Sequence, residues 1–187
     1  MKNIAVFASG SGSNFQAIID AVKSGKLHVN IKLLVCDKPG AFAVERANTE
    51  NIPRFVFTAK NYNSKVEYEE DILRHLKNNE VDFIVLAGYM RLIGSTLLGE
   101  YEGRIINIHP SLLPAFPGKD AIGQAIDAKV KVSGVTVHYV DAGMDTGPII
   151  AQKAVELSDD ENIESLQEKI HRVEHELYPA VIEKLLS

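Results

Sequence analysis

The hydrophobic positions of this chain follow two spacings that alternate along most of its length. Short apolar runs, typical of buried strands, are followed by segments in which apolar residues recur at helical spacing. The predicted strands cover residues 3–8, 30–36, 53–58, 81–87, 104–109, 134–140 and 149–155, and the predicted helices cover residues 15–22, 41–50, 65–79, 120–129 and 162–186. Strands that alternate with helices indicate an α/β protein.

The order of these elements predicts the arrangement of the sheet. The alternation holds to about residue 130, which predicts an open, mainly parallel, Rossmann-like sheet with helices on both faces. Two strands then follow each other directly, and we expect an antiparallel element in the C-terminal part. The 187 residues, 45% of them hydrophobic, can form one core without a repeat or long linker, so we predict a single domain over residues 1–187.

Charge and composition narrow the classes of partner. The net charge is −5, and Lys, Arg, Asp and Glu are interspersed without a basic block, which argues against a nucleic-acid partner but leaves room for a small anion. The first apolar run is too short for a signal peptide or a membrane span, so we expect a cytoplasmic protein. Cys36, the only cysteine, has apolar neighbours, and we expect a buried, unreactive thiol.

A glycine-rich loop at residues 10–14 follows the first predicted strand. Its two glycines allow a tight turn, and free N–H groups at the start of the next helix favour an anion, which makes the loop a candidate phosphate site. Phe15 stands where the dinucleotide fingerprint requires glycine, and the lysine of a P-loop is absent. Two alternatives stay open. Asp37 at the end of the second strand suits the ribose of a nicotinamide nucleotide, and the loop is otherwise a helix-entry turn that binds nothing.

Two polar residues mark the end of the fifth predicted strand. Asn107 and His109 face the same way because they are two positions apart, and Pro110 ends the strand because it has no N–H. Ligands of open α/β sheets bind at this edge. An amide beside an imidazole suits acyl transfer, in which a carbonyl oxygen gains negative charge while a proton moves. The alternative is that Asn107 caps a turn and His109 binds a backbone carbonyl.

The loop after the fourth predicted strand lies at the same edge of the sheet. Met90, Leu92 and Ile93 beside Arg91 predict an apolar slot with one cation, which suits a flat aromatic ligand with an acidic tail. The alternative is that these side chains are ordinary core under a helix.

Three further residues lie in the C-terminal part. Asp145 lies in a tight loop, residues 141–148, between the last two strands. We interpret His138 as a strand histidine with satisfied hydrogen bonds rather than as a catalyst. Glu174 begins a Glu-His-Glu run that is typical of an exposed helix surface.

Several segments together resemble one family. Ser-Gly-Ser-Asn at residues 11–14, Ala-Gly-Tyr-Met-Arg at 87–91, Asn-Ile-His-Pro-Ser-Leu-Leu-Pro at 107–114 and Met-Asp-Thr-Gly-Pro at 144–148 resemble the phosphoribosylglycinamide formyltransferases, the folate-dependent enzymes of purine biosynthesis. The resemblance covers essentially the whole chain. It implies formyl transfer from 10-formyltetrahydrofolate to the amine of N1-(5-phospho-D-ribosyl)glycinamide, here called glycinamide ribonucleotide. It also implies that no metal is needed and that the protein is a monomer or a weak homodimer.

The resemblance assigns roles residue by residue. The catalytic positions are Asn107, His109 and Asp145. The residues expected to bind glycinamide ribonucleotide are Gly12, Ser13, Asn14 and Glu174. The residues expected to bind the folate are Lys65, Met90, Arg91, Leu92, Ile93, Asn107, Asp141, Ala142, Gly143, Met144 and Asp145. In this scheme residues 1–105 form the ribonucleotide-binding half, and residues 106–187 form the catalytic and folate-binding half.

Two positions depart from the family's pattern. The family often has histidine where Asp120 and Ile122 stand, so a role of those imidazoles in positioning the catalytic loop does not carry over. The alternatives are a 10-formyltetrahydrofolate hydrolase, the catalytic domain of a methionyl-tRNA formyltransferase, and a non-catalytic nucleotide-phosphate binding module. The first two would need a further regulatory or basic domain, for which we expect no room in 187 residues.

Overall fold

Seven strands form one sheet in the computed structural model, which describes residues 1–187. The strands are β1 (Lys2–Ala8), β2 (Val29–Cys36), β3 (Arg54–Val56), β4 (Phe83–Leu86), β5 (Ile105–His109), β6 (Val132–Tyr139) and β7 (Ile149–Glu156). The helices are α1 (Ser13–Lys23), α2 (Phe42–Thr49), α3 (Lys65–Asn78), α4 (Ser95–Tyr101), α5 (Ala121–Ala128) and α6 (Ile163–Leu186), with a short 3₁₀ helix at Ala59–Asn61.

The sheet has the order β3-β2-β1-β4-β5-β6-β7. Strands β1 to β5 pair in parallel, whereas β5 with β6 and β6 with β7 pair antiparallel. This confirms the predicted open, mainly parallel sheet with an antiparallel C-terminal element. The strand order changes direction between β1 and β4, and at such a switch point the loops that follow the two strands diverge and leave a crevice.

Helices cover both faces of this sheet, as predicted. Alternate residues of β1 point to opposite faces. Ile4, Val6 and Ala8 pack in a cluster with α1, α2, α5 and α6, and Ala5 and Phe7 pack in a second cluster with α3 and α4. The crevice at the switch point therefore lies above a strand that is fixed from both sides.

Helix caps explain which helix boundaries were predictable. The Ser64 side chain accepts a hydrogen bond from the Glu67 N–H at the start of α3, and a serine three positions before a glutamate is a typical sequence signal for a helix start. Helix α4 is absent from the predicted elements. This helix has seven residues and follows Gly94 without a side-chain cap, so neither its length nor its start gives a strong signal.

The expectation of a buried, unreactive cysteine has a structural basis. The Cys36 side chain is fully buried, and burial raises the pKa of its thiol, which agrees with an unreactive cysteine. None of the helices combines the length and the apolar character that a membrane span requires.

Candidate active site

Strands β5 and β6 bring four polar side chains to one face at the sheet's ligand-binding edge. In their antiparallel register Asn107 lies opposite His138, and His109 lies opposite Thr136. Asn107, His109 and His138 line a cavity of about 350 Å³ that lies beside the crevice at the switch point. Asn107 is half-buried, whereas His109 and His138 are buried.

Asp145 completes this group from the loop between β6 and β7. Its backbone is in the left-handed region, with a φ of 56°, which turns the side chain back toward the sheet. One carboxylate oxygen, Oδ2, accepts a 2.8 Å hydrogen bond from the Gly118 N–H and lies 3.5 Å from Nδ1 of His109. The other oxygen, Oδ1, lies 3.8 Å from Nε2 of His138. The carboxylate thus lies between two imidazoles.

The hydrogen bond of His109 Nε2 determines which nitrogen of the ring carries the proton. Its Nε2 lies 2.8 Å from the carbonyl oxygen of Phe116. Because a carbonyl oxygen only accepts hydrogen bonds, Nε2 carries the proton and Nδ1 faces Asp145. The alternative, in which His109 binds a backbone carbonyl, therefore holds for Nε2 only. Nδ1 lies beside the Asp145 carboxylate instead.

The loop after β5 is held by a network of buried polar groups. Thr136 Oγ1 donates to the Ser111 carbonyl at 2.7 Å and accepts from the Leu113 N–H at 3.0 Å. The Ser111 hydroxyl donates to the Ala115 carbonyl at 2.5 Å. From β7, the Gln152 amide donates to the Leu113 carbonyl at 2.9 Å. These bonds fix the segment that carries the hydrogen-bond acceptor of His109.

His138 departs from its interpretation as a satisfied strand histidine. Its Nδ1 lies 2.8 Å from the Tyr139 carbonyl oxygen, but its Nε2 is buried without a hydrogen-bond partner and points toward Asp145. A buried polar atom without a partner costs free energy and needs an explanation. Because the Tyr139 carbonyl oxygen only accepts hydrogen bonds, Nδ1 carries the proton, and Nε2 directs a lone pair toward the Asp145 carboxylate at a distance too long for a hydrogen bond. The register that brings the two residues together was not visible in the sequence.

The apolar slot predicted after β4 forms one wall of the cavity. Met90 is 64% exposed, Leu92 45% and Met144, from the opposite loop, 49%. All three line the cavity. Exposed large apolar side chains that are grouped around one cavity are typical of a binding site, whereas isolated ones are common on any protein surface. Ile93 also lines the cavity but is 5% exposed, so for this residue the alternative of ordinary core packing holds.

Arg91 forms an ion pair with Asp37, the residue on which the nicotinamide alternative depends. Its Nε donates to Asp37 Oδ2 at 2.8 Å, and the Asp37 side chain is only 1% exposed. A carboxylate that is buried and bound to a guanidinium is poorly placed to bind a ribose hydroxyl. The structure therefore does not support the nicotinamide alternative.

Three predicted folate residues lie at the margin of this cavity or outside it. Lys65 and Ala142 do not line it, although Lys65 Nζ donates to the Leu92 carbonyl at 2.9 Å. Asp141 does line it, and its Oδ1 accepts bonds from Thr146 Oγ1 at 2.7 Å and from the Gly143 N–H at 2.9 Å. These two bonds, the first being the larger effect, lower the pKa of Asp141.

The glycine loop and Glu174 line a second cavity of about 240 Å³. Gly12, with a φ of 73°, starts α1 without a side-chain cap, so the first N–H groups of the helix remain available to an anion. Glu174 is 6% exposed, which corrects the interpretation of its segment as plain helix surface. Burial raises the pKa of Glu174 to about 7, an effect that the Asn14 side chain partly offsets.

The two cavities are parts of one cleft. Four residues line both of them, namely Gly88, Ile108, Pro110 and Ile122. Ile122 packs against the core at this junction, and Asp120 caps α5 by accepting from the Gly123 N–H at 3.2 Å. The two positions at which the family often has histidine are therefore occupied by a helix cap and an apolar wall. No cluster of three or more His, Cys, Asp or Glu side chains is arranged to hold a metal ion.

Sequence reasoning missed His171 as a site residue. It lines the second cavity from α6, three positions before Glu174. Residues three apart share a helix face, so the signal was present once Glu174 was named. Burial lowers the pKa of His171.

Comparison with known proteins places the whole chain in one family. Residues 2–182 match the family model described as formyl transferase. The chain is 58% identical over 187 residues to the phosphoribosylglycinamide formyltransferase of Bacillus subtilis, a match that covers 100% of this chain and 96% of the relative. It is also similar to the crystal structure of glycinamide ribonucleotide transformylase 1 from Geobacillus kaustophilus, with 65% identity, a TM-score of 0.98 and complete coverage of both chains.

A second solved structure gives the same result. The phosphoribosylglycinamide formyltransferase from Bacillus halodurans is 59% identical, with a TM-score of 0.97 and coverage of 100% of this chain and 96% of the other. These matches extend over both cavities and the residues between them. The chain therefore belongs to the formyl transferase family, as the resemblance of its motifs implies.

Proposed function

We propose that this protein transfers the formyl group of 10-formyltetrahydrofolate to the amine of glycinamide ribonucleotide, as in purine biosynthesis. The observation that carries the proposal is the position of Asn107, His109 and Asp145 on a cavity that continues into the cavity of the glycine loop. Formyl transfer needs two small molecules side by side, with polar groups where they meet. The cleft offers that arrangement.

The larger cavity suits the folate. Its volume of about 350 Å³ and its exposed apolar side chains, Met90, Leu92 and Met144, match a site for a flat aromatic ring. Arg91 at the rim offers a cation for the acidic tail of the molecule. We place Lys65 and Ala142 in a supporting role outside the cavity wall, because neither side chain lines it.

The smaller cavity suits the ribonucleotide. The free N–H groups at the start of α1 and the side chains of Ser13 and Asn14 can hold the phosphate. Glu174 lies across the same cavity, where its carboxyl group can bind a ribose hydroxyl. The glycinamide amine then extends toward Ile108 and Pro110, which line both cavities, and reaches the formyl group there.

The reaction exchanges one bond for another. The amine nitrogen forms a bond to the formyl carbon, the bond from that carbon to N10 of the folate breaks, and one proton passes from the amine to N10. Negative charge develops on the formyl oxygen during this exchange. The Asn107 amide and Nδ1 of protonated His109 donate hydrogen bonds to that oxygen, which lowers the barrier because these donors are fixed before the reaction.

Asp145 has two tasks in this scheme. Its carboxylate lies 3.5 Å from Nδ1 of His109, where its negative charge faces the imidazolium that donates to the formyl oxygen. This distance is longer than a direct hydrogen bond, so Nδ1 can donate to the formyl oxygen while the hydrogen bond of Nε2 to the Phe116 carbonyl holds the ring in place. The carboxylate also accepts the amine's proton through a water molecule and passes it on toward N10.

The proposal is tested by following the formyl group itself. Purified protein is incubated with 10-formyltetrahydrofolate that carries an isotope label in the formyl group, together with glycinamide ribonucleotide, and the products are analysed by mass spectrometry. We expect the label in the formylated ribonucleotide. Label released as formate, whether or not the ribonucleotide is present, would instead identify a hydrolase, and unchanged reactants would identify a binding module.

A further inference from the structure

Helix α2 binds the glycine loop through two consecutive carbonyl groups. The Ala43 N–H donates to the Gly10 carbonyl oxygen at 3.1 Å. Nε of Arg46, one helical turn further on, donates to the Ser11 carbonyl oxygen at 2.8 Å. Both carbonyls of the loop therefore face α2, away from the second cavity.

The geometry of the peptide bond determines where the N–H groups of the glycine loop point. In a trans peptide the carbonyl of one residue and the N–H of the next point in opposite directions. With the Gly10 and Ser11 carbonyls bound to α2, the N–H groups of Ser11 and Gly12 point away from α2, and both residues line the cavity. Neither N–H donates a backbone hydrogen bond, so both remain available to a ligand.

Arg46 is held firmly in this position. Its Nη1 donates to Gln16 Oε1 at 3.2 Å, and its guanidinium lies 4.6 Å from the centre of the Phe42 ring. The contact with the loop is close, because a Cβ atom at Gly12 would lie 2.9 Å from Cβ of Ala43 and 3.3 Å from Cδ of Arg46. A guanidinium fixed by several contacts loses little entropy when a ligand arrives.

Arg46 also provides positive charge close to the second cavity. No lysine or arginine lines the second cavity, whose ionisable groups are His171 and the acidic Glu174. A phosphate dianion in this cavity would meet an acidic group without a facing cation. The guanidinium of Arg46 is bound to the Ser11 carbonyl, on the side of the glycine loop that faces α2, and supplies positive charge to the phosphate site from there.

We propose that Arg46 is a positioning residue for the ribonucleotide phosphate, which it serves through the Ser11 carbonyl and without contact to the ligand. The inference rests on the proposed function, because it takes the glycine loop to be the phosphate site of that reaction. The planar guanidinium turns the Gly12 N–H toward the phosphate and provides the cation that the cavity wall lacks.

The test separates phosphate binding from catalysis. We expect Arg46→Gln to raise the KM for glycinamide ribonucleotide by about tenfold, equivalent to about 1.4 kcal/mol of binding. Its kcat and its KM for the folate should remain near those of the unaltered enzyme, because the phosphate is remote from the reacting atoms. Arg46→Lys should fall between the two, because it keeps the charge but not the guanidinium geometry. Arg54→Gln on the exposed edge strand β3 removes the same charge elsewhere and should change nothing.

Two further ligands distinguish the possible outcomes. Glycinamide riboside lacks the phosphate and should be used equally well, or equally poorly, by the unaltered enzyme and Arg46→Gln. Ribose 5-phosphate, followed by ligand-detected NMR, should bind the unaltered protein more tightly than the variant. An equal loss of activity with the riboside, a lowered kcat, or unchanged ribose 5-phosphate binding would overturn the role of Arg46. If glycinamide ribonucleotide is not formylated by the unaltered protein, the proposed function itself fails.

Discussion

Oδ2 of Asp145 lies 3.5 Å from Nδ1 of His109, although the two residues belong to different elements, 36 positions apart in the chain. The pair is assembled by the Asp145 backbone, whose φ of 56° is rare for a residue with a side chain, and by the Gly118 N–H, which holds the carboxylate. Backbone conformations of this kind persist where the surrounding structure fixes them, often at active sites. In the proposed reaction this pair sets the charge and the proton path.

Removing the charge of Asp145 tests its part in catalysis. Asp145→Asn keeps the shape and the acceptor for the Gly118 N–H but removes the negative charge beside His109 and can no longer take up a proton. We expect kcat to fall by about 10²–10⁴-fold, the range for a lost acid–base group, with the KM values for both substrates little changed. Steady-state kinetics with each substrate varied in turn measures this. A variant that loses affinity but keeps its turnover would mark Asp145 as a binding residue only.

The amide of Asn107 is the proposed neutral donor to the formyl oxygen. Asn107→Ala should lower kcat by about 10²–10³-fold, equivalent to about 2.7–4 kcal/mol of transition-state stabilisation. Asn107→Asp is a matched control because it keeps the size but places a negative charge beside the developing one, and it should be at least as slow. Thermal unfolding of both variants checks that the fold survives. Normal turnover by Asn107→Ala would remove this residue from the mechanism.

His138 offers a test of coupling to Asp145. Its unpaired Nε2 lies 3.8 Å from Asp145 Oδ1, so we expect it to act on the reaction through that carboxylate. His138→Phe should lower kcat by about tenfold in the unaltered enzyme but have little further effect in Asp145→Asn, a non-additivity typical of residues in contact. Equal effects in both backgrounds would show that His138 contributes only to packing.

The buried carboxyl group of Glu174 makes stability depend on pH. Burial raises the pKa of Glu174 from 4.5 to about 7, so the folded protein keeps this proton at pH values where the unfolded chain has lost it. The unfolded state then binds fewer protons, and stability falls as pH rises from about 4.5 to about 7, then stays level. Over this pH interval the free energy of unfolding falls by about 3 kcal/mol.

Glu174→Gln isolates this contribution because the amide does not titrate. We expect the free energy of unfolding of the unaltered protein, taken relative to that of Glu174→Gln, to decrease by about 3 kcal/mol between pH 4 and pH 8. Urea unfolding at several pH values measures it. Glu69, another buried acid whose pKa burial raises, is present in both proteins and cancels. A constant difference across this range would contradict the burial of an ionisable Glu174.

Local signals were sufficient for much of the fold. Apolar periodicity identified all seven strands, and the Ser64 and Asp120 caps marked the starts of two helices. The spacing of Asn107 and His109 gave their common face, because residues two apart on a strand always share one. Each of these inferences depends on residues close in sequence.

Relations between distant segments could not be read in the same way. The pairing of His138 with Asn107 depends on the antiparallel register of β5 and β6, and nothing local to either strand sets it. The burial of Glu174 was partly predictable, because this residue lies four positions from both Ile170 and Tyr178, which are fully buried. Its acidic side chain favoured an exposed position, but the helical spacing was the stronger indication.

The central claim is that the formyl group moves only when the ribonucleotide is present. The most direct measurement is the initial rate of deformylation of 10-formyltetrahydrofolate, followed by absorbance, with glycinamide ribonucleotide varied from zero upward. We predict no deformylation without the ribonucleotide and a saturable rise in rate with it, and we expect this rise to be lost in Asp145→Asn. A rate that is the same with and without the ribonucleotide would contradict the account.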